Sequence, residues 1–225
     1  KPSASQGNSN TPSTTDGTEV PTEEAPQLVS TATVLSTGDI LMHGKVINSG
    51  KQDDSNYNFD SIFQYVKSYA QAADFSVANL ETTLCGTDNG YAYAGNPKFN
   101  CPDAIVDSLK GAGFDMLLTA NNHADDTSLV GYKRTLNVVR EKGLDTLGTY
   151  LSADEQKWTI EEVNGIKIGM VCYTWAYGSN GTSFSLNGLT PIKDEGQMNY
   201  FLNNNPDKLY TASEQILEQM KADGA

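Results

Sequence analysis

The chain has 225 residues, with 28 acidic side chains against 15 basic ones and a net charge of −13. That balance excludes a nucleic-acid backbone as the partner, because phosphate binding needs clustered Lys and Arg, and an anionic substrate would need a local cation. No apolar run reaches the ~20 residues of a membrane span. The opening residues lack the charged-then-apolar pattern of a signal peptide, so an exported form is expected to have lost its signal.

Residues 1–30 are expected to form a disordered linker. The stretch "KPSASQGNSNTPSTTDGTEVPTEEAPQ" is Ser, Thr, Pro, Gly and Glu with almost nothing apolar to bury, so it cannot repay its ordering entropy. Such a segment suits a tether that holds a domain away from a surface. Residues 31–225 are expected to form the folded body.

From Thr31, "TATVLSTGDI" reads as a buried strand running into a Gly38-Asp39 turn, followed by a polar loop. In "NFDSIFQYVKSYAQ" the spacing of Phe59, Ile62, Phe63, Val66 and Tyr69 predicts one amphipathic helix, with Asp60 at the positive end of its dipole. "DFSVANLE" is a second strand ending at a carboxylate. "PDAIVDSLKGAG" is a helix opened by Pro102 and Asp103 and closed by Gly111 and Gly113, and "FDMLLTA" is the third strand.

"SLVGYKRTLNVVREKG" predicts another helix, closed by Gly143, before the short "LDTLGTY". "KWTIEEVNGIKIGMVCYTW" then contains two strands around Asn164-Gly165, a dipeptide suited to a type I′ turn, so an antiparallel pair joins a βαβα chain. The Gly, Ser and Asn-rich "AYGSNGTSFSLNGL" is a loop expected to line or cover something. "PDKLYTASEQILEQMKADGA" is a final helix from Pro206.

The sequence has 3 cysteines. Cys172 sits in an apolar run and reads as a small buried thiol. Cys85 and Cys101 flank a loop-like stretch, and both a disulfide and two free thiols are compatible with that placement.

Three successive strands end on polar side chains: "TGDILMHG" with Asp39 and His43, "ANLE" with Asn79 and Glu81, and "ANNH" with Asn121, Asn122 and His123. Ligands bind beyond the carboxyl ends of strands in parallel α/β sheets, so these segments are expected to converge. Singly, each residue has an ordinary reading as a turn former or a solvated group. Together, carboxylates, amide oxygens and imidazole suit Mn, Fe, Zn or Mg ions, with Asp39 or Glu81 able to bridge two of them.

The order "GDILMHG", "NLETTL", "KFNCPDAIVDSLKGAGFDMLLTANNHADD", then "G" and "TL" in the next helix, resembles the CapA family. These are bacterial capsule or poly-γ-glutamate synthesis proteins, distant relatives of calcineurin-like metallophosphoesterases. The resemblance runs from about Thr33 to the C-terminus. It implies an αββα layered sandwich of the metallo-dependent phosphatase type, a mixed sheet, incomplete in this chain, with a dinuclear divalent metal centre at one edge.

Carried over by matching position, Asp39 belongs to the first metal-ligand motif and His43 is its nearby imidazole. Glu81 matches the acidic bridging position and Asn122 the asparagine ligand. His123 matches the histidine that acts as general acid or orients the scissile group, with Asn79 and Asn121 in support. His43 lies four residues after Asp39, unlike the Asp-x-His of the wider phosphoesterases, and Asn121 replaces a glycine usual before Asn-His. The further histidines of the family fall in motifs that this chain does not contain, so the expectation is about half of a metal site.

Two functions follow from the resemblance. One is an extracellular metal-dependent hydrolase acting on poly-γ-glutamate or a related wall polymer, tethered through an upstream lipid-modified cysteine. The other is a polymer-binding or scaffolding component of the capsule machinery. Tyr91, Tyr93, Tyr173, Trp175 and Tyr177 could form an aromatic rim for a polymer or simply pack at a sheet edge.

Overall fold

A computed structural model describes residues 29–178, 183–188, 192–193, 195–202, 205 and 207–225. The expected linker therefore lies almost wholly outside the described residues, as does Pro206. The described chain is mixed α/β, with a parallel sheet and two further sheets.

The first sheet holds four parallel strands in the order β1 (Val34–Asp39), β2 (Phe75–Asn79), β3 (Met116–Leu118) and β4 (Asp145–Leu147). Each crossover carries helix: α1 (Gly44–Gly50) and α2 (Lys67–Ala72) lead to β2, α3 (Ala104–Ala112) to β3 and α4 (Ser128–Glu141) to β4. Strand β2 is buried along most of its length, as expected for a central parallel strand covered on both faces. On one face, Ala70, Ile105, Val106, Leu109, Val138 and Val139 of the helices pack with Ala78 and Leu117 of the strands.

The other face is covered by the antiparallel hairpin β5 (Thr159–Val163) and β6 (Ile166–Met170), where Val163 and Ile168 pack with Phe75, Val77, Met116 and Leu147. Its turn has φ of 53° at Asn164 and 78° at Gly165, the left-handed pair that the dipeptide predicts. This hairpin forms its own two-stranded sheet and does not extend the parallel one. The third sheet has the order β10 (Tyr200–Leu202), β7 (Thr174–Gly178), β8 (Ser183–Ser185) and β9 (Ile192–Lys193), with β10 parallel to β7 and the rest antiparallel. Helix α5 (Asp207–Ala222) follows.

Three expectations change. Part of the polar loop after Asp39 is helix α1. Gly50 ends it, at a spot where the Phe59 ring leaves no room for a Cβ.

The single helix expected from Phe59 is a 3-10 turn, Asp60–Phe63, followed by α2. The buried hydroxyl of Ser108 on α3 accepts from the Phe59 N–H at 3.1 Å and donates to Asp60 Oδ1 at 2.7 Å, fixing the turn from outside. Its apolar face is also narrower than the spacing suggests: Phe59 and Phe63 are buried, whereas Ile62, Val66 and Tyr69 are exposed.

The cysteines are free thiols, with Cys85 and Cys101 both fully buried, so the disulfide alternative does not hold. Burial pushes the Cys101 thiol well above its ordinary range, and the Asp103 charge adds to this.

Candidate functional site

The site is built where β1, β2 and β3 end. Register places Ser36 beside Val77 but Asp39 beside Asn79, so an extra residue is inserted in β1. A regular ladder would have put Gly38 there; the irregularity delivers a carboxylate instead. Asn79 in turn pairs with Leu118. Beyond this row, the Ile40 N–H donates to the Asn79 carbonyl at 2.7 Å and the Leu80 N–H to the Leu118 carbonyl at 2.8 Å, holding the outgoing segments side by side.

Asn79 and Asn121 organise the carboxylates. The Asn79 side-chain amide donates to Asp39 Oδ1 at 2.8 Å and to Glu81 Oε2 at 3.2 Å, while its Oδ1 accepts from Asn121 at 3.0 Å. Asn121, itself buried, also donates to the Leu80 carbonyl at 2.9 Å and accepts from the His123 N–H at 3.1 Å. A continuous amide chain thus links Asp39, Glu81 and His123.

Glu81 is the electrostatically stressed member. Burial raises its carboxyl above the ordinary range, and the neighbouring Asp39 raises it further by charge and by a shared hydrogen bond; His123 opposes this and Asp126 adds to it. The Nε2 of His123 faces Glu81 Oε1 at 4.0 Å, and its Nδ1 lies 2.7 Å from Asp126 Oδ2. Asp126 is raised by burial, against the Phe99 N–H and His123, which lower it.

His43 and Asn122 stand differently. His43 is exposed and packs edge-on against Phe99 at 5.1 Å between centroids, with Phe99 packing in the same way on His123 at 4.6 Å. Gly95 lies against the His43–Gly44 backbone, where a Cβ would sit 2.5 Å from the Gly44 nitrogen and 2.8 Å from the His43 Cα. Asn122 turns its amide to Asn187 Oδ1 at 3.2 Å, and Asn187 donates back to the Asn122 carbonyl at 2.9 Å. The structure therefore brings Asp39, Asn79, Glu81, Asn121 and His123 into one network, and engages Asn122 and His43 beside it.

The donor set fits a hard divalent cation in its chemistry. Two neighbouring carboxylates, one of them raised by burial and further by the charge of the other, are what a cation between them would relieve, and an imidazole nitrogen faces the same space. Among the described residues, no three His, Cys, Asp or Glu side chains stand in a metal-holding arrangement. A cavity of about 580 Å³ between β10 and α5, lined by Tyr200, Leu202, Leu209 and Ala212 among others, shares no residue with the site.

Four residues near the site escape a reading of strand ends. Asp125 and Asp126 stand in the quoted "ANNHADD", and their only sequence signal is adjacency to His123. Phe99 stands in the quoted "KFNC" and Asn187 in the loop expected to line or cover something, but nothing in either stretch singles the residue out. Of the aromatic residues, Trp175 and Tyr177 pack edge-on at 5.0 Å and are partly exposed, Tyr91 bonds Ser128, and Tyr93 packs on Tyr57.

A parallel sheet whose strand ends carry a linked carboxylate, amide and imidazole cluster defines an α/β protein with a polar site at its sheet edge. The chain belongs to the bacterial capsule synthesis protein family PGA_cap, whose model matches residues 33–224. It is similar to the PGA biosynthesis protein CapA of Bacillus subtilis (strain 168), 31% identical over 134 residues that make up 59% of this chain and 34% of that protein. It is also similar to the capsule biosynthesis protein CapA of Bacillus anthracis, 29% identical over 121 residues, 52% of this chain and 29% of that protein. The chain spans about a third of the length of the curated relatives it matches.

No helix among the described residues is long and apolar enough to cross a membrane.

Proposed function

We propose that the protein works in capsule biosynthesis at the cell surface, as part of a metal-dependent hydrolase acting on poly-γ-glutamate or a related anionic polymer. The observation that carries this reading is the convergence of Asp39, Glu81 and His123 Nε2 through the Asn79–Asn121 amide chain. The helices on one face of the parallel sheet and the hairpin on the other support a layered sandwich of the metallophosphatase type. In this reading residues 31–225 are the first part of that domain and residues 1–30 the tether.

One or two divalent cations, as Mn, Zn, Fe or Mg, would polarise the scissile group and lower the pKa of a water. Asp39 and Glu81 are the residues placed to hold them, with His43 and Asn122 completing the set once Asn122 leaves Asn187. Asn79 and Asn121 keep the two carboxylates oriented. His123 presents Nε2 to the same space and is the group placed to hand a proton to the leaving atom. The cation would also supply the positive charge that an acidic chain needs to accept an anionic polymer.

The test uses the full-length protein with manganese or zinc, and follows turnover of polyglutamate and of a generic phosphodiester. Turnover of either that is lost in His123→Ala and Asn122→Ala supports the hydrolase. A second reading is favoured by the Asn122–Asn187 clasp, which occupies an expected ligand: the protein binds or organises polymer without cleaving it. Polymer binding with no turnover of either substrate would decide for that scaffold.

A further inference from the structure

We propose that Lys45 and Lys98 form a cationic rim beside this site that takes the free carboxylates of an anionic polymer. The inference rests on the polymer reading above and names the chain's own groups that would receive the substrate's charge.

The two lysines are brought together by contact between distant segments. Gly95 lies so close to the start of α1 that a Cβ would sit 2.5 Å from the Gly44 nitrogen, so the segment leading to Lys98 runs against the one that carries Lys45. That segment is fixed by its own bonds. Asn100, fully buried, exchanges both backbone bonds with Ala94 at 2.9 and 3.0 Å, and its side chain holds the Cys85 N–H and the Gly86 and Ala92 carbonyls. The Phe99 N–H donates to Asp126 at 2.6 Å, and the Phe99 ring packs edge-on against both His43 and His123. Lys98 therefore stands one residue from the ring that joins the two imidazoles, and Lys45 two residues from His43.

Charge separates these lysines from most others in the chain. Lys51, Lys142, Lys193 and Lys221 each pair with a carboxylate. Lys45 and Lys98 are exposed, and neither ammonium has an ion pair or hydrogen bond among the described residues. Asp125 and Asp126 feel the Lys98 charge, but both are buried and leave its ammonium open to solvent. An exposed lysine is ordinarily a solvated surface charge. Two of them flanking strand ends whose acids, Asp39 and Glu81, repel an anionic chain supply the attraction that such a polymer needs to approach.

Lys67 on α2 provides a control. It too has no ion pair among the described residues, but it lines a hollow with Ser108 and Gly111, at the end of α3 that leads into β3, whereas the site lies where β3 finishes.

The test measures binding of labelled γ-linked polyglutamate to the full-length protein by fluorescence anisotropy, in a metal chelator so that only the protein's own cations contribute. Lys45→Ala and Lys98→Ala are each expected to weaken binding about 2–5-fold, and the double variant by more, with a shallower dependence on salt. Lys98→Arg should bind like the wild type, and so should Lys67→Ala. Binding unmoved by the double variant, or weakened equally by Lys67→Ala, overturns the inference while the polymer reading stands. A stronger dependence on the two lysines for a polyphosphate than for polyglutamate overturns the assignment to carboxylates. Absence of polyglutamate binding by the wild type overturns both the rim and the polymer reading. Binding that depends on Lys45 and Lys98, in a protein that turns over no substrate when metal is restored, would defeat the hydrolase reading and leave the rim in place.

Discussion

The side-chain amide of Asn79 bridges Asp39 and Glu81, at 2.8 and 3.2 Å, across the ends of two parallel strands. It is a neutral donor set between two carboxylates, one of which, Glu81, is raised by burial and by the charge of the other, and its own oxygen is the acceptor for Asn121. Asn79→Ala should therefore destabilise the chain by about 1–3 kcal/mol, the cost of stranding a buried amide and leaving the acids face to face. Urea unfolding in a metal chelator reads this directly, and an unchanged midpoint would show that the amide chain is dispensable.

Asp125 gives a pH dependence of stability with a definite sign. Burial, aided by the charge of Asp126, pushes its carboxyl from 3.8 to about 7. Between those values the folded chain binds more protons than the unfolded chain, so stability falls as pH rises through the window. Glu81 and Asp126 are raised as well and act in the same direction. The Asp125→Asn variant removes one such group without changing shape. It should match the wild type near pH ~4 and exceed it in stability near pH ~8, as measured by denaturant midpoints. A larger wild-type advantage at the higher pH would contradict the assignment.

Gly131 tests packing against helix propensity. An Ala at this position, the fourth residue of α4, gains at most about 0.8–1 kcal/mol of intrinsic helix preference. Its Cβ, however, would land on the Thr127 hydroxyl and within 3.0 Å of the Cys85 Cβ. That hydroxyl donates to Thr83 at 2.7 Å in the floor of the core. Overpacking at about 1–3 kcal/mol is the larger effect, so Gly131→Ala should lower the melting temperature.

Ser108→Ala should cost about 1–3 kcal/mol, because it strands the buried Phe59 N–H that now donates to the hydroxyl. The effect should be local as well as global: the Phe59 amide should exchange faster than its neighbours in α3 under native conditions. Equal exchange in both proteins would mean that the 3-10 turn is held by something else.

The elements most legible in the sequence are those whose signal is local. The β2 and β3 strands, the α3 and α4 helices and the Asn164-Gly165 turn all follow from apolar runs, helical spacing and a dipeptide that tolerates left-handed backbone. The break between Asp60–Phe63 and α2 does not, because its cause is a hydroxyl 48 residues away in the chain. At the site, the strand-end acids and His123 are marked by their positions after apolar runs. Phe99 and Asn187 fall in quoted stretches, but their arrival at the site is not legible there, since each comes from a loop whose path is set by tertiary packing.

What the sequence determined by itself is the alternation of strands and helices, the family, and the residue types at three strand ends, because these depend on spacing along one segment at a time. The tertiary structure decided how those ends meet. The inserted residue in β1 placed Asp39, not Gly38, beside Asn79, and the Asn187 contact turned Asn122 aside. Tertiary packing also buried Asp126, which accepts the Phe99 N–H, and set it against His123 Nδ1 while Nε2 faces Glu81. Register, desolvation and hydrogen bonds between distant segments are properties of the assembled chain, and no local pattern encodes them.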